Sequence, residues 1–499
     1  MKPEPVRRLE DPHELLSQPR LAAVVEPAPA GERRLKLPLA RLDAAAEILI
    51  ERHGRLIGLF RIDRPEPSLL VAIAFRGELI ELRAPLEGQV EFPSLARYCP
   101  AALLLERELH DRDGLIPVGH PDLKPALRPD PDQLPRRQVT GDGTFVIPYG
   151  PIRSGVFESI QYVIETGGED ILALQVRPFF KRRGLEQRFN GLGYEHGVQL
   201  AERVAGIAAV AHALAFSQAL ERALGVEPTR RAQRWRVVHA ELERIANHLD
   251  VAMRLADDAA LSVGAARFGI LKEEIMRLRA RLCGSRFGRG VVVPGGIGAP
   301  PLLSPAQVLA DLERFERDLR RDRRLLLATT SFTDRLIGSG RLDPETVEAY
   351  AGIGPVARAS GVATDARFER PYGAYLRLGA RLATAEEGDA MARLRVRFGE
   401  IDEGLHLIRQ AFERLDRYDS QLRAAPLPGD GAAFGWAEAP MGEVVYWVET
   451  RGGRLGTVRI ASPSLRNWPL FVESFRGDVL TDFSFIEHSF GLTQAGADR

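Results

Sequence analysis

Glu202-Arg203-Val204-Ala205-Gly206-Ile207-Ala208-Ala209-Val210-Ala211-His212 is the stretch on which the reading of this chain turns. Small apolar residues fill it and continue on both sides. Residues 196–224 therefore predict one long helix whose small side chains let neighbouring elements approach closely. His212 follows Ala205 by seven residues, so on such a helix Ala205, Ala208 and His212 share a face. A metal held at positions 205 and 208 would need deprotonated soft donors there, and a methyl group is none.

The cysteine count carries the same message further. The 499 residues include two cysteines, Cys99 and Cys283, in no C-x-x-C pair. Four thiolates, or a cysteine-only iron–sulfur cluster within this chain, are arithmetically impossible. Each cysteine is expected as a small buried hydrophobe, and such sparse use fits a reducing compartment. Lys plus Arg equals Asp plus Glu at 68 each, so no net field points to nucleic acid or acidic lipid. The run from Arg314 to Arg324 interleaves Arg with Asp, Glu and Leu, as a solvated helix face does. No window approaches about 18 uncharged apolar residues, so no direct membrane span is expected. The start, Met1-Lys2-Pro3-Glu4-Pro5, lacks the basic end and apolar run of a signal peptide. The expectation is a cytoplasmic protein that reaches the inner face of the cell membrane only through partner subunits.

Outward from the quoted stretch, the pattern divides the chain. Leu69 to Phe75 and Glu78 to Arg83 read as strands, the second alternating with period two as a half-buried strand does. A helix is expected from about Pro100 to Asp111. Proline and charge then dominate Arg128 to Arg137, followed by Thr140-Gly141-Asp142-Gly143. This sets the expected domains at 1–132 and 144–499, with 133–143 as linker. Strands are expected at Thr144 to Ile147 and Ile160 to Glu165. Further helices are expected over 231–256, from the Ser304-Pro305 cap to Leu327, and over 388–415. Val444 to Glu449 and Arg454 to Ile460 read as strands across a Gly452-Gly453 turn. The fold class is α+β: a small N-terminal α+β domain, then a mainly α domain with short peripheral sheets.

Glu202 to His212 resembles E-R-V-C-G-I-C-G-F-A-H, the first nickel-ligand motif of the NiFe hydrogenase large subunit, with alanine at both thiolate positions. The end of the chain, Ser489 to Arg499, resembles the second, S-L-D-P-C-x-S-C-T-D-R, with Thr493 and Gly496 at the thiolate positions. Pro148-Tyr149-Gly150-Pro151-Ile152-Arg153, Arg183-Gly184-Leu185-Glu186, Glu241-Leu242-Glu243-Arg244 with His248-Leu249, Pro294-Gly295-Gly296 and Ala439-Pro440-Met441-Gly442-Glu443 match other blocks of that family. The hydrogenase-like subunit of respiratory complex I shares the blocks and also lacks the cysteines. In the first domain, Glu106-Arg107-Glu108-Leu109-His110-Asp111 and Gly119-His120-Pro121-Asp122-Leu123 resemble the small hydrophilic complex I subunit. The fused order resembles the membrane-bound, energy-converting hydrogenases related to formate hydrogenlyase.

The resemblance implies roles residue by residue. Glu186 matches a proton-relay glutamate, and His212 and Asp498 complete the candidate catalytic set. Arg183 matches an arginine beside the proximal 4Fe–4S cluster of a partner subunit. Arg153, Arg203, Gly206, Met441 and Arg499 are the other candidates facing a cofactor or acceptor. Met441 stands where hydrogenases carry an arginine that contacts the iron's diatomic ligands. The family's quinone-binding histidine run places Arg153 and Phe157 at its two histidine positions, and its tyrosine position holds Gly206. Arg153, Arg203 or Arg183 is expected to pair with Glu186 or Asp498 around a polar cavity. No metal and no cofactor is expected on the chain itself. The expected partners are an iron–sulfur small subunit and, through the complex, antiporter-like membrane subunits, with no nucleic acid. Two functions follow: electron transfer from the partner's cluster towards a quinone or other acceptor, or a redox-inert scaffold coupling a soluble arm to ion-translocating subunits. An active NiFe hydrogenase is excluded by the cysteine count.

Overall fold

The computed structural model describes residues 21–127, 129, 134–153, 159–413, 415, 421–424 and 429–499. Phe157, the first five residues and Arg128, Asp130, Pro131, Asp132 and Gln133 of the proline-rich stretch lie outside them. By its contacts the chain divides after Pro125 into two compact units.

The smaller unit is built on a five-stranded sheet, in the order Val24–Glu26, Glu32–Lys36, Glu78–Pro85, Ser68–Phe75, Arg55–Ile62. Glu32–Lys36 runs parallel to Glu78–Pro85, and the other neighbours are antiparallel. Glu78–Pro85 departs from its expected half-burial, since all six inner residues are buried. The reason is pairing: Glu81 Oε1 accepts from Arg83 Nη2 at 2.6 Å and from Arg34 Nε at 2.9 Å. The polar half of the alternation is thus covered as an ion-paired row. Helix Leu103–Asp113 follows a 3₁₀ turn at Pro100–Ala102. Its Glu106 is fully buried and accepts from Ser94 Oγ and the Leu95 amide, both at 2.6 Å. Burial pushes that carboxyl up to about 7 against these donors.

The larger unit opens with the antiparallel sheet Phe145–Tyr149, Gln161–Thr166, Ile171–Arg177. Helices Arg230–Asp258, Ser262–Cys283, Pro305–Leu327 and Ala390–Phe412 follow, the third opened by a Ser304–Gln307 capping box. Its second sheet is the meander Gly431–Ala439, Gly442–Arg451, Arg454–Ala461. This sheet is largely buried because helix Ala209–Leu224 lies directly on it. Gly435 allows that approach: a Cβ there would stand 2.1 Å from Ala215 O and 2.2 Å from Ala219 N. Between the Arg230–Asp258 and Ala390–Phe412 helices runs a fully buried ionic lattice. In it Arg244 meets Glu241, Arg358 meets Glu400 and Glu438, and Arg367 meets Asp365 and Glu241. Among the described residues no single helix is long and apolar enough to cross a membrane.

The single helix expected over 196–224 is broken. Tyr194–Ala201 and Ala209–Leu224 are separate, with a 3₁₀ turn at Gly206–Ala208 between them, and the path bends by 112°. Ala205 is extended (φ −138°, ψ 112°). The expected face shared by Ala205, Ala208 and His212 therefore does not exist as a helix stripe. The cause is tertiary. Continuing the helix requires the carbonyls of residues 203 and 204 to accept from residues 207 and 208. Arg183 takes both instead, through Nη1 to Arg203 O (3.1 Å) and Nη2 to Val204 O (2.9 Å). The next helix is started from outside: buried Glu243 accepts from the amides of Val210 (2.8 Å) and Ala211 (3.0 Å).

Candidate functional site

Arg183 is the joint of the site. It sits before Gly184, whose left-handed conformation (φ 62°) starts the short helix Leu185–Arg188 and costs a glycine little. Besides the two carbonyls after Ala201, Arg183 Nη2 donates to the carbonyls of Ala495 and Asp498, and Nε lies 3.3 Å from Asp498 Oδ2. One guanidinium thus ties the Glu202–His212 segment to the chain's last residues, bringing together the positions that matched two metal-ligand motifs. Three of those positions, Ala205, Ala208 and Gly496, are buried in packing, and the fourth, Thr493, borders a cavity. Ala205 and Ala208 have no exposed surface, and Ser464 Oγ takes the Thr493 amide at 3.0 Å. A Cβ on Gly496 would meet the same Ser464 Oγ at 3.1 Å.

Behind the joint lies Glu186, buried. Its Oε1 accepts from the Ile460 amide at 2.8 Å and stands 3.3 Å from Arg499 Nε, and its Oε2 lies 3.6 Å from Arg459 Nη1. The expected partners of Glu186 were Arg153, Arg183 or Arg203, and the structure supplies Arg459 and Arg499 instead. The Arg183–Asp498 pairing occurs as expected. Burial raises the Asp498 carboxyl above its ordinary value, with Arg183 opposing. His212 is completely buried, and burial with the nearby Arg183 cation lowers it to about 3, so it is neutral at physiological pH. Its Nδ1 is 2.8 Å from Tyr446 Oη. Burial and the Glu186 charge hold that phenol protonated, the donor of the bond depends on the imidazole tautomer, and His212 Nε2 is buried without a partner. His212 is a neutral, hydrogen-bonded core residue.

The remaining candidates scatter. Arg203 extends along the surface, half-exposed, donating to Gln199 O beside Glu202. Gly206 is exposed, and a Cβ there would meet nothing within 4 Å. Met441 is buried in the turn between Gly431–Ala439 and Gly442–Arg451, its carbonyl packed on Gly354. Arg153 belongs to a second site. It forms a two-pronged ion pair with Glu487 (2.9 and 2.8 Å), with its guanidinium 5.0 Å from the ring centres of Tyr149 and Tyr162. Tyr162 donates to the same carboxylate at 2.7 Å. Arg153, Tyr162 and Glu487 line a cavity of about 270 Å³ together with Ile207, Asn247, Trp468, His488 and Thr493. Neither Glu186 nor His212 lines it, so the expected single polar cavity is two structures: a filled network and an open pocket beside it.

Several contributors went unread in the sequence. Glu243 stands in a matched block, but its partners, two amides some 30 residues upstream, are tertiary. Tyr446 and Arg459 lie on paired strands at positions outside the matched blocks. Glu487 had one signal, a lone carboxylate in the mainly apolar helix Phe483–Phe490.

Residues 35–139 match the family "Respiratory-chain NADH dehydrogenase, 30 Kd subunit" and residues 265–428 match "Respiratory-chain NADH dehydrogenase, 49 Kd subunit". The chain is 30% identical over 438 residues to formate hydrogenlyase subunit 5 of Escherichia coli K12, covering 82% of this chain and 77% of that one. It is 28% identical over 356 residues to the membrane-bound hydrogenase subunit alpha of Pyrococcus furiosus, covering 67% and 83%. A chain of the membrane-bound sulfane sulfur reductase, an archaeal respiratory membrane complex, has the same fold over 72% of this chain and 99% of its own length, at TM-score 0.67 and 24% identity.

Proposed function

Because the chain carries the 30 kDa and 49 kDa complex I-type domains in one polypeptide and belongs to the family of formate hydrogenlyase subunit 5, we propose that it is an electron-transfer subunit in the peripheral arm of a membrane-bound respiratory complex. In this reading a partner subunit's 4Fe–4S cluster docks beside Arg183. Electrons pass to a quinone or other acceptor in the 270 Å³ cavity, and no NiFe centre takes part. The supporting observation is the Arg183 joint: the cation is one-third exposed, yet it holds both former ligand segments around a buried Glu186–Arg499 pair. A fixed cation beside a cluster favours its reduced, more negative state. The chain carries no residue set for nickel at positions 205, 208, 493 and 496, so the metal chemistry of the hydrogenase relatives is not carried over.

The scaffold reading has one observation in its favour, that Ala205 and Ala208 are fully buried and Ser464 packs on Gly496. Two measurements on the complex from its native host separate the readings. Metal analysis is expected to give iron from a partner and no stoichiometric nickel. Arg183→Gln is expected to lower the midpoint potential of one partner cluster in a redox titration followed by electron paramagnetic resonance. A chain that purifies without a cluster-bearing companion, or a potential unmoved by Arg183→Gln, would leave the scaffold.

A further inference from the structure

Around the Arg183 joint, charge is sorted by depth. Lys181, Arg203 and Arg289 are exposed, and Arg182 and Arg183 are partly so. The acids beside them lie inside: Glu202 is 2% exposed and Asp498 4%. Glu202 Oε1 accepts from the Gly290 amide at 2.5 Å, and Arg203 comes no nearer to its other oxygen than 3.8 Å. Burial raises the Glu202 carboxyl, with the Arg203 and Arg289 cations opposing. Asp498 is raised by burial too, with Arg183 and Arg182 opposing. Among the described residues Lys181, Arg182 and Arg289 have no salt-bridge partner.

Elsewhere on the larger unit exposed arginines meet exposed acids: Arg277 and Arg286 share Glu273, and Arg281 and Arg314 share Asp311. In a chain whose acids and cations are equal in number, the excess at the joint is a local segregation. The middle of this face is apolar. Ile207 and Phe287 are 40% and 42% exposed, and they come from two segments that touch. Gly290 rests on Glu202, and a Cβ on Gly288 would stand 2.7 Å from Val210 Cγ2. Arg289 lies over the Phe287 ring at 5.4 Å. An apolar centre inside a polar rim is the anatomy of a protein docking face. Two exposed apolar side chains are too few to hold a lipid surface, whereas arginine forks match carboxylates two-pronged.

We infer that this face binds a companion subunit through a carboxylate-rich rim on that subunit. Its Asp and Glu side chains meet Lys181, Arg182, Arg203 and Arg289, around an apolar contact on Ile207 and Phe287. The identification of the companion as the cluster-bearing subunit rests on the electron-transfer reading above, and the inference adds the chemistry by which it is recognised. Cations set apart from their acids repel one another until an opposite charge faces them, and they speed the approach of a surface of the other sign. Arg183 differs from its neighbours: it is committed to Asp498 and to backbone carbonyls, so it fixes the face and the other four recognise the partner.

The test uses the complex from its native host, with the full chain carrying Lys181→Glu, Arg203→Glu or Arg289→Glu. It reads how much companion subunit each retains as NaCl is raised. All three side chains are exposed, so far-ultraviolet circular dichroism and melting are expected to match wild type. Each reversal is expected to raise the dissociation constant about tenfold at about 50 mM NaCl. At about 500 mM, where salt screens exposed charges, the difference is expected to fall below about threefold. Arg320→Glu, on the helix Pro305–Leu327, makes the same change in net charge elsewhere and is expected to leave retention unchanged. Retention unmoved by all three reversals, or lowered equally by Arg320→Glu, would overturn the assignment. Binding of the free chain to phosphatidylglycerol vesicles that Lys181→Glu abolishes, with companion retention intact, would overturn it in favour of a membrane surface. A companion lost on charge reversal but carrying no cluster upholds the docking face and removes the electron-transfer reading. A cluster-bearing companion indifferent to the reversals removes this proposal and leaves that reading standing.

Discussion

Two polar assemblies lie side by side in the larger unit, and they solve opposite problems. Around Glu186 the charges pair within the protein: Arg499 and Arg459 lie on Glu186, Arg183 holds Asp498 and backbone carbonyls, and burial with Arg183 keeps His212 neutral. Around Arg153, the charges are paired too, but a cavity is left, and Arg153 Nε, Asn247 Oδ1 and His488 Nε2 remain unspent. The first matches the motifs of a metal site and has the character of a keystone. The second matches few motifs and has the character of a binding site. Buried polar atoms without a hydrogen bond occur in both, His212 Nε2 in the first and Arg153 Nε and Asn247 Oδ1 in the second, so it is the cavity that distinguishes them.

That contrast is tested most severely by Glu186→Ala. It leaves Arg499 and Arg459 buried without their carboxylate, and breaking a buried pair costs about 3–5 kcal/mol. Denaturant unfolding is expected to show that loss in the larger unit. A cost below about 1 kcal/mol would mean the network is not a keystone. Glu487→Gln attacks the other assembly and is expected to cost less, about 2 kcal/mol, the worth of hydrogen bonds to a partly exposed charged group. A larger loss than Glu186→Ala would invert the comparison.

His212 gives a pH test. Its folded value, about 3, lies below the ordinary histidine value, so only the unfolded chain takes up the proton between about 6.5 and 3. Its contribution to stability is complete above that window and declines as pH falls through it, by at most about 1.4 kcal/mol per pH unit. His212→Gln is expected to flatten the stability–pH curve between pH 4 and 6 relative to wild type. An unchanged slope would mean His212 reaches solvent. Gly206→Ala should do least: with nothing within 4 Å of the new Cβ, the melting curve is expected to move by less than about 0.5 kcal/mol.

Much of the fold was legible because it depends on local pattern. The Ser304-Pro305 cap opened a helix to Leu327, and the Gly452-Gly453 turn joined two strands. What failed was the helix at 202–208, where local preference favours continuity and Arg183, Glu202 and Glu243 overrule it. Glu202 reaches Gly290 at 2.5 Å, and no window of sequence contains both. The half-buried strand at 78–83 failed for a related reason: period two records polarity, and ion pairing with Arg34 can bury a polar row.

The sequence by itself determined the family, the mixed α and β class and the lack of thiolates for a NiFe site, because residue identity and order suffice for each. Only the tertiary structure decided that Arg183 joins the two motif segments, that Glu186 pairs with Arg459 and Arg499, and that His488, not His212, lines a cavity. Those facts depend on side chains brought together across 300 residues or more in the Arg183–Asp498 and Arg153–Glu487 pairs. Hydrogen bonds and burial act on distance in space, and sequence spacing constrains that distance only within one helix or hairpin.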